Sequence, residues 1–484
     1  MFGHLKRLAR HTAVYGVGDL LGRAVSFLLV PLYSRRLSEA ENGLMGIAFA
    51  FIAFAGIIYT LGLNQALLRY FGGPEEEAEQ RRTFSSALVT VGIVSAALSI
   101  GIWAGAGQIA DLFFGEQGLG RFIRMASVIL FIDALSGVPL NALRALERPG
   151  AYAGIKFSQF TLALLLNVVL IVYAGRGLDG VFESNILSSA FALVCCLPVM
   201  CRYLRPVLSF EALKRMLAFG LPYIPSVMAV LVIDVSDRYL VRRFAGLDEA
   251  GVYNIVYKFG MVMALATAAF RSAWLPFFLS LSRREDGRPI CARMMTYFLA
   301  AGVALCMAVT LFLDEIVGRM AGPSFLRGKW VVPVVLASYL TYGLYVNLMA
   351  GVYVKERTRI LPGIVGLGAG INLLLNLLLI PRLGMMGAAW STLAAYVAMA
   401  TLLFVFEQGF YPVDYEWMRM GKIVSAGVVL AAAGAWIGPS AGLAGILFRV
   451  LMLMAYPLIL WALRVLARDE MDRLGEIFRR RATA

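Results

Sequence analysis

The sequence predicts an all-α polytopic membrane protein with about fourteen transmembrane helices. Of its 484 residues, 60% are hydrophobic and 15% are charged, whereas roughly 45–50% of a soluble domain is apolar. Apolar runs long enough to cross the hydrocarbon core of a bilayer, about 20 residues each, recur between short clusters of charge, glycine or proline. This pattern disfavours a soluble enzyme, and it also disfavours collagen-like, disordered and disulfide-framework chains.

The predicted spans cover most of the chain. They lie at 12–33, 43–66, 84–107, 122–142, 153–174, 180–201, 216–236, 251–273, 290–313, 330–353, 361–380, 384–406, 421–437 and 442–465. The first span follows a basic flank, but its apolar stretch is too long for a secretory signal, and no small-residue cleavage site follows Tyr33. We therefore predict that it is retained. An even number of spans places both termini on one side.

The formal net charge of +14 reports orientation. Most Lys and Arg residues fall in loops on the side of the N-terminus, including Arg81–Arg82 and Arg479–Arg481. Since cytoplasmic loops carry such an excess, both termini are predicted to be cytoplasmic. Anionic lipid headgroups are the expected partners of these loops, and we expect no nucleic-acid partner.

An internal repeat with a period of roughly 208 residues divides the chain. Residues 33–37 running into Gly43 recur at 241–244 running into Gly251, and 165–171 recur at 374–380. Six spans per copy give the two copies the same orientation, with an axis along the membrane normal. We predict an N-lobe at 1–205, a C-lobe at 206–410, two additional helices at 411–467 and a basic cytoplasmic tail at 468–484, with a midplane cavity between the lobes.

Sequence motifs typical of catalytic, metal-binding or phosphate-binding sites are scarce. The two histidines, His4 and His11, lie in the basic N-terminal flank, and the five cysteines have neither disulfide nor metal-ligand spacing. The stretch 322–330 has one residue too many for a phosphate-binding loop, and Trp330 replaces its Ser or Thr. The prediction is a transporter without metal or cofactor.

Ionisable residues inside spans are the informative candidates, because an unpaired charge in the bilayer costs at least about 2.5 kcal/mol. In the first span, Asp19 and Arg23 share a helix face with Tyr15 and Ser26. The pair can neutralise itself, line a transport pathway, or do both. These alternatives remain open from the sequence.

Other spans carry further candidates. In the seventh, Asp234 lies towards the outer end, and Pro222 is expected to distort the entry turn. In the eighth, Lys258 is the deep cation, whereas Arg271, like Arg69 closing the second span, lies where it can meet headgroups. Two more charges have no obvious local partner: Asp133 in the fourth span and Arg449 in the last.

Five stretches together resemble the polysaccharide transporter family of O-antigen-type oligosaccharide flippases, within the multidrug/oligosaccharidyl-lipid/polysaccharide exporter superfamily. These stretches are 31–38 leading to Gly43, 68–71, 219–225, 237–239 followed by 250–253, and 384–389. The resemblance covers residues 1–410 and keeps the order of the family.

The resemblance implies two six-helix lobes around a cavity that opens alternately to either side of the cytoplasmic (inner) membrane of a bacterium or archaeon. The implied cargo is a lipid-linked oligosaccharide on a polyprenyl diphosphate, and polysaccharide polymerases and glycosyltransferases are possible partners. Arg23, Lys258, Arg69 and Arg271 are the cations that could bind the diphosphate. Asp19, Asp133 and Asp234 are the carboxylates that could couple transport to an ion gradient, and the last two helices could hold the prenyl tail.

Three alternatives remain. A lipid II flippase of peptidoglycan synthesis shares the fourteen-helix plan. A multidrug exporter of the same superfamily is disfavoured because such exporters generally stop at twelve helices. An oligosaccharide polymerase or ligase would resemble its relatives in having a long outer loop, whereas the longest outer loops expected here, 108–121 and 314–329, have fewer than 20 residues.

Overall fold

The computed structural model describes residues 22, 25–71, 77–205, 208–281, 287–436 and 442–465. These residues form helices joined by short connections, and no strand occurs among them. The α-helices are α1 Val30–Arg36, α2 Glu39–Thr60, α3 Leu63–Tyr70, α4 Glu77–Ala104, α5 Ala106–Phe114, α6 Gly120–Ala145, α7 Pro149–Val168, α8 Gly177–Tyr203, α9 Phe210–Gly220, α10 Ile224–Ala245, α11 Leu247–Gly260, α12 Val262–Leu281, α13 Gly287–Leu311, α14 Leu313–Met320, α15 Val331–Val354, α16 Leu361–Leu383, α17 Met385–Gln408, α18 Trp417–Trp436 and α19 Gly442–Ala462.

The prediction of an all-α polytopic membrane protein is confirmed. Among the described residues, 12 helices are long and apolar enough to cross a membrane, or 13 if the bent pair α11–α12 counts as one span. Helices are the form expected in a bilayer, because each satisfies its own backbone hydrogen bonds. The first predicted span, 12–33, falls largely outside the described residues, so the count of fourteen stays a prediction.

Helix ends fall on two faces of the bundle. One face holds the connections 36–39, 104–120, 245–247, 311–331 and 383–385, and we call it the predicted outer face because of the loop charges. The opposite face, which holds 145–149 and 354–361, is the predicted inner face. The assignment of these faces to the two sides of a membrane rests on the sequence.

The loops expected at 108–121 and 314–329 are largely helical, which corrects their prediction as loops. In α5, Ala110 and Phe114 are buried while Asp111 is exposed; in α14, Leu313 and Val317 are buried. Each short helix therefore packs one apolar side on the bundle and turns its polar side outward.

Two spans have ends that differ from the prediction. Helix α2 begins at Glu39 rather than 43, because Ser38 and Glu41 form a capping box with bonds of 3.1 and 2.8 Å. It ends at Thr60 rather than 66, because Leu61 and Gly62 adopt left-handed conformations with φ of 48° and 69°. Helix α10 continues to residue 245 rather than ending at 236.

A proline distorts the start of α10, and a bend separates α11 from α12. The entry to α10 is a 3₁₀ turn at Leu221–Tyr223 that contains Pro222, which confirms the expected distortion. Between α11 and α12 the axis bends by 41° at Met261. The bend comes just after Lys258, so that residue lies near the middle of the bent span.

The N-terminal and C-terminal halves meet where α2 crosses α11 at the predicted outer face. A Cβ on Gly43 would lie 2.4 Å from the carbonyl oxygen of Leu247, and one on Gly251 would lie 1.8 Å from that of Glu39. The Asn254 side-chain amide also donates to the backbone oxygen of Asn42 at 3.1 Å. Small residues allow two membrane helices to approach this closely.

Two further contacts at this face join the halves in a reciprocal way. The side chains of Ser34 and Arg35 donate to backbone oxygens in the last turn of α14 at 3.2 and 2.7 Å. In the other direction, the Tyr239 hydroxyl of α10 donates to the Leu112 carbonyl of α5 at 3.5 Å. Each half therefore contributes one short surface helix that contacts the other half.

The division into two copies stays a prediction, and one pair of buried polar sites supports it. Asn167 of α7 donates to Ser184 of α8 at 2.7 Å. One repeat period later, Asn376 of α16 donates to Asn372 at 2.9 Å, and Asn372 donates to Thr392 of α17 at 3.5 Å. In both halves a buried asparagine is thus linked to a hydroxyl group on the next helix.

The last two helices pack against α13, and an ion pair connects them to the predicted outer face. Arg449 of α19 forms a salt bridge with Glu315 of α14, and its side chain is 8% exposed. The expectation that Arg449 lacks a partner is therefore wrong. Its partner is 134 positions away in sequence, on a segment that we expected to be a loop.

Candidate functional site

A buried ion pair forms the polar centre of the C-terminal half. Asp237 of α10 is fully buried, and its carboxylate lies 3.3 Å from a guanidinium nitrogen of Arg238. The Tyr253 hydroxyl of α11 donates to the other carboxylate oxygen. The same guanidinium donates to the backbone oxygen of Asp234 at 2.6 Å. Several hydrogen bonds therefore offset the cost of burying these two charges.

Tyrosine side chains extend this centre to α15 and α17. The Arg238 guanidinium lies 4.9 Å from the centre of the Tyr257 ring, and the Tyr257 hydroxyl is 3.0 Å from that of Tyr339. The Tyr396 hydroxyl donates to the Asp234 carboxylate at 2.8 Å. Asp234, a predicted coupling carboxylate, thus belongs to a network that joins α10, α11, α15 and α17.

Lys258 lies next to this network and faces the N-terminal half. Its ammonium lies 5.1 Å from the centre of the Tyr33 ring of α1, a favourable cation–π distance. It borders a pocket of about 260 Å³, including the open mouth, between residues 26–27 and the α11–α12 bend. Arg238 is near enough for the two positive charges to repel each other. The ion pairs of the described chain do not include Lys258.

Tyr33 carries the connection onward into the N-terminal half. Its hydroxyl donates to Asn167 of α7 at 2.9 Å, and Asn167 donates to Ser184 of α8. A continuous line of contacts therefore runs from Lys258 through Tyr33 to α7 and α8.

Asp133 has polar neighbours, which corrects the expectation that it lacks a local partner. The Ser189 hydroxyl of α8 and the Lys156 ammonium of α7 lie near enough to the Asp133 carboxylate to stabilise its charge. Lys156 donates to Gln159 at 3.1 Å, and the Gln159 amide donates to Ser189 at 3.5 Å. We call Asp133, Lys156, Gln159 and Ser189 the N-half polar cluster.

The other two described cations of the predicted site lie at the predicted inner face. Arg69, near the end of α3, is exposed and stacks on the Phe219 ring at 4.7 Å. Arg271 of α12 is exposed and interacts electrostatically with Tyr353 of α15. Thirteen residues, or about 20 Å of helix, separate Arg271 from Lys258. The structure therefore places Arg69 and Arg271 at the predicted inner face and Lys258 at mid-span, so the predicted cations do not form one cluster.

Asp19 and Arg23, the remaining two predicted site residues, lie outside the described residues. Residue 22, between them, is described: a Cβ on Gly22 would lie 2.7 Å from the Phe160 ring of α7. Residue 22 thus lies close to the helix that carries Lys156. The roles assigned to Asp19 and Arg23 stay predictions.

Two residues of this site were missed in the sequence. Arg238 was placed beyond the end of the seventh span, yet residues 226–245 contain no glycine or proline, which favours continuation of the helix. Lys156 lies only three residues after the predicted span start at 153, so its position does not mark it as a deep charge. The observed start of α7 at Pro149 places it two turns inside.

These features define a multi-pass membrane protein with ionisable groups inside its spans. Long apolar helices form two halves in contact, and buried or half-buried charges lie where α1, α10 and α11 of the two halves meet. Ionisable groups at such depth typically mark a substrate or ion pathway.

Comparisons with known proteins identify the family. A sequence profile described as polysaccharide biosynthesis protein matches residues 32–322, and the chain belongs to this family. An uncharacterized membrane protein of Methanocaldococcus jannaschii is 22% identical over 416 residues, which make up 78% of this chain and 80% of the relative. A probable low-salt glycan biosynthesis flippase of Haloferax volcanii, Agl15, is 18% identical over 432 residues and 88% of each chain.

The fold is shared with a solved flippase structure. The lipid II flippase MurJ in an inward closed conformation superimposes with a TM-score of 0.75 over 93% of this chain and 99% of that chain, at 12% identity. These matches confirm the resemblance found in the sequence to the polysaccharide transporter family. The chain is a multi-pass membrane protein of the polysaccharide biosynthesis protein family.

Proposed function

We propose that the protein moves a polyprenyl-diphosphate-linked oligosaccharide across the cytoplasmic membrane by alternating access. The headgroup of such a lipid cannot enter hydrocarbon without a large desolvation cost, whereas its prenyl tail can stay in the bilayer. A protein of this kind needs a polar path between its halves, a cation for the diphosphate, and a contact that closes one face. It does not act as an enzyme on its cargo.

The position of Lys258 is the observation that carries this proposal. The side chain lies at mid-span between α1 and α11, borders a pocket, and is left without an ion-pair partner in the described chain. A half-buried ammonium in this setting favours an anionic ligand, because the ligand charge compensates its own. The charge of the nearby Arg238 is compensated by Asp237, so the uncompensated charge here is that of Lys258.

Arg69 and Arg271 support an entry route at the predicted inner face. Both are exposed and lie beside aromatic rings, as expected for groups at the headgroup level. We propose that they attract the diphosphate before it reaches Lys258, and that Arg23 lines the same path. Asp19, Asp133 and Asp234 stay candidates for coupling to an ion gradient.

Reconstituted transport tests this proposal. Purified protein in liposomes should move a fluorescent lipid-linked oligosaccharide between leaflets, and Lys258→Gln should lower the rate by at least about tenfold, since removing a charged hydrogen bond costs about 1.5–3 kcal/mol. Lys355→Gln is the matched control, because Lys355 is exposed in a loop at the predicted inner face. Equal rates in protein-free and protein-containing liposomes would contradict the proposal.

The contact between the two halves supports the same mechanism. With Gly43 and Gly251 packed together, the described structure is closed at the predicted outer face. A cargo loaded from the predicted inner face would reach the outer leaflet only after α2 and α11 separate. Deletion of the gene should therefore leave lipid-linked sugar units in the inner leaflet and remove the corresponding surface polysaccharide.

A lipid II flippase is the second candidate, because the MurJ fold matches over nearly the whole chain. The two candidates differ in their cargo. If the reconstituted protein moves lipid II and rejects lipid-linked oligosaccharides of other composition, the lipid II function replaces the first. Drug efflux without lipid transport would instead identify a multidrug exporter.

A further inference from the structure

Asp133 is an exposed carboxylate surrounded by buried residues. Ile129, Leu130, Ala134 and Ser136, all within about one turn of it on α6, are 1–4% exposed, whereas Asp133 is exposed. It lies near the middle of α6, thirteen residues from the first residue of the helix. Asp133 is therefore accessible at mid-helix although its neighbours on α6 are buried, and an ionisable group at such depth typically faces a polar path.

The N-half polar cluster that surrounds Asp133 combines four kinds of hydrogen-bonding group. It holds a carboxylate, an ammonium, an amide and a hydroxyl, contributed by α6, α7 and α8. One positive and one negative charge leave the cluster with no net charge. Such a set has both donors and acceptors to offer, but its carboxylate would repel a diphosphate.

The site around Lys258 has a different chemistry. Lys258 borders the pocket between residues 26–27 and the α11–α12 bend and has no ion-pair partner in the described chain, whereas the charge of the nearby Arg238 is compensated by Asp237. The two sites are connected through Tyr33 and Asn167. Gln159 precedes Asn167 by eight residues, or about 12 Å along α7. The polar cluster thus lies about two turns of α7 from Asn167, the residue that connects to Lys258 through Tyr33.

We propose that the N-half polar cluster is a binding site for neutral sugar hydroxyl groups, with Asp133 as the acceptor for a pair of them. This inference rests on the proposed function and assigns a separate role to each site. Lys258 binds the diphosphate, and the N-half polar cluster binds the sugar. Ser189 positions the Asp133 carboxylate, and Gln159, which donates to Ser189, supplies a further hydrogen-bonding group. Lys156 balances its charge.

A binding experiment with two lipids tests whether the sugar and the diphosphate bind at separate sites. The probes are lipid-linked oligosaccharide extracted from cells that lack the transporter, and polyprenyl diphosphate without sugar. Asp133→Asn should weaken binding of the sugar-bearing lipid by about tenfold, as expected for a lost charged hydrogen bond, and leave binding of the bare diphosphate lipid unchanged. Lys258→Gln should weaken binding of both lipids.

Controls separate this proposal from simpler explanations. Asp179→Asn removes a carboxylate that pairs with Arg121 near the predicted outer face, and it should bind both lipids like wild type. Asp133→Glu should recover part of the lost affinity. Thermal unfolding of each variant in detergent verifies that it is folded.

The outcomes are distinct. If Asp133→Asn weakens both lipids equally, or neither, the sugar site is wrong. If it leaves both affinities intact and abolishes only gradient-driven transport, Asp133 is a coupling residue and the sugar site is again wrong. If the wild-type protein binds neither lipid, the proposed function itself fails, and the sugar site fails with it.

Discussion

Gly43 and Gly251, one repeat period apart in sequence, lie against each other where α2 crosses α11. The hypothetical Cβ of each would meet backbone atoms of the other helix at 2.4 and 1.8 Å. Backbone, unlike a flexible side chain, cannot move aside without moving the helix. Any side chain at these positions therefore opposes closure of the predicted outer face.

Gly251→Val should shift the protein towards a state open at the predicted outer face, because the added methyl groups keep α2 and α11 apart. Spin labels at Arg36→Cys and Asp248→Cys, both exposed positions, in a background without the five native cysteines, report the separation. The distance between them should increase. Gly366→Val is the control, since a Cβ there meets nothing within 4 Å, and an equal change in that variant would contradict the prediction.

Asp237→Asn should destabilise the protein, because it leaves Arg238 as a charge in a largely buried place. Breaking a buried ion pair costs about 3–5 kcal/mol. Unfolding followed by denaturant titration in detergent measures the change. The double variant Asp237→Asn/Arg238→Met should be more stable than the single variant; a strictly additive loss would show that the two groups act independently.

A matched exposed pair provides the comparison for that experiment. Arg121 and Asp179 form a salt bridge at 3.1 Å with side chains 61% and 30% exposed. Surface pairs contribute about 0–1 kcal/mol. Arg121→Gln should therefore change the free energy of unfolding far less than Asp237→Asn.

Arg449→Gln should loosen the attachment of α19 to α14, because Glu315 loses its ion-pair partner. One Glu315 oxygen, Oε2, is buried without a hydrogen bond. Without Arg449 the Glu315 carboxylate would be a buried, unpaired charge, which favours a conformation that exposes it to water. Hydrogen exchange of the α14 backbone amides should become faster, since local opening becomes easier. The charge-swapped variant Arg449→Glu/Glu315→Arg should slow the exchange again; unchanged exchange in Arg449→Gln would mean that the pair does not hold α14.

Tyr33→Leu should weaken binding of polyprenyl diphosphate, because the aromatic ring holds the Lys258 ammonium beside the pocket. Cation–π energies of about 0.5–2 kcal/mol correspond to a roughly two- to thirtyfold loss of affinity. Tyr33→Phe keeps the ring and loses the hydrogen bond to Asn167. It should retain most of the affinity, and an equal loss in both variants would assign the effect to the hydroxyl.

Arg23→Ala should abolish transport at normal expression if Arg23 binds the diphosphate. If it only neutralises Asp19, the double variant Asp19→Asn/Arg23→Gln should transport normally, because both charges are then removed from the span together. The reconstituted transport assay distinguishes the two roles. Failure of both variants assigns Arg23 to the transport path.

The positions of the membrane spans along the sequence were largely predictable, whereas the residues at which the helices begin and end were not. Hydrophobic runs identify spans because a bilayer accepts only segments whose backbone bonds are internal. The ends depend on individual contacts, such as the Ser38 capping box of α2 and the left-handed Leu61 that stops it. The prediction for α10 failed in the same way: its polar outer end, Arg238 included, is stabilised inside the bundle by Asp237.

Several candidate site residues could be identified in the sequence because they are charges inside predicted spans. Their contact partners could be identified only from the folded structure. Lys258 and Asp133 were identifiable because a charge in an apolar run is costly. Their neighbours Tyr33 and Ser189 lie on other helices, and no local pattern in the sequence indicates those contacts. Arg449 shows the same limit, because its partner Glu315 lies 134 positions away.

The sequence by itself determined the all-α membrane architecture, the family, and several of the ionisable residues at depth, Lys258 and Asp133 among them, because these follow from local hydrophobicity and short motifs. Only the tertiary structure decided that Lys258 faces Tyr33, that Asp133 belongs to a neutral polar cluster, and that Gly43 meets Gly251. The physical reason is that these relationships arise from side-chain packing between helices far apart in sequence. Such packing depends on the shape and charge of both partners at once.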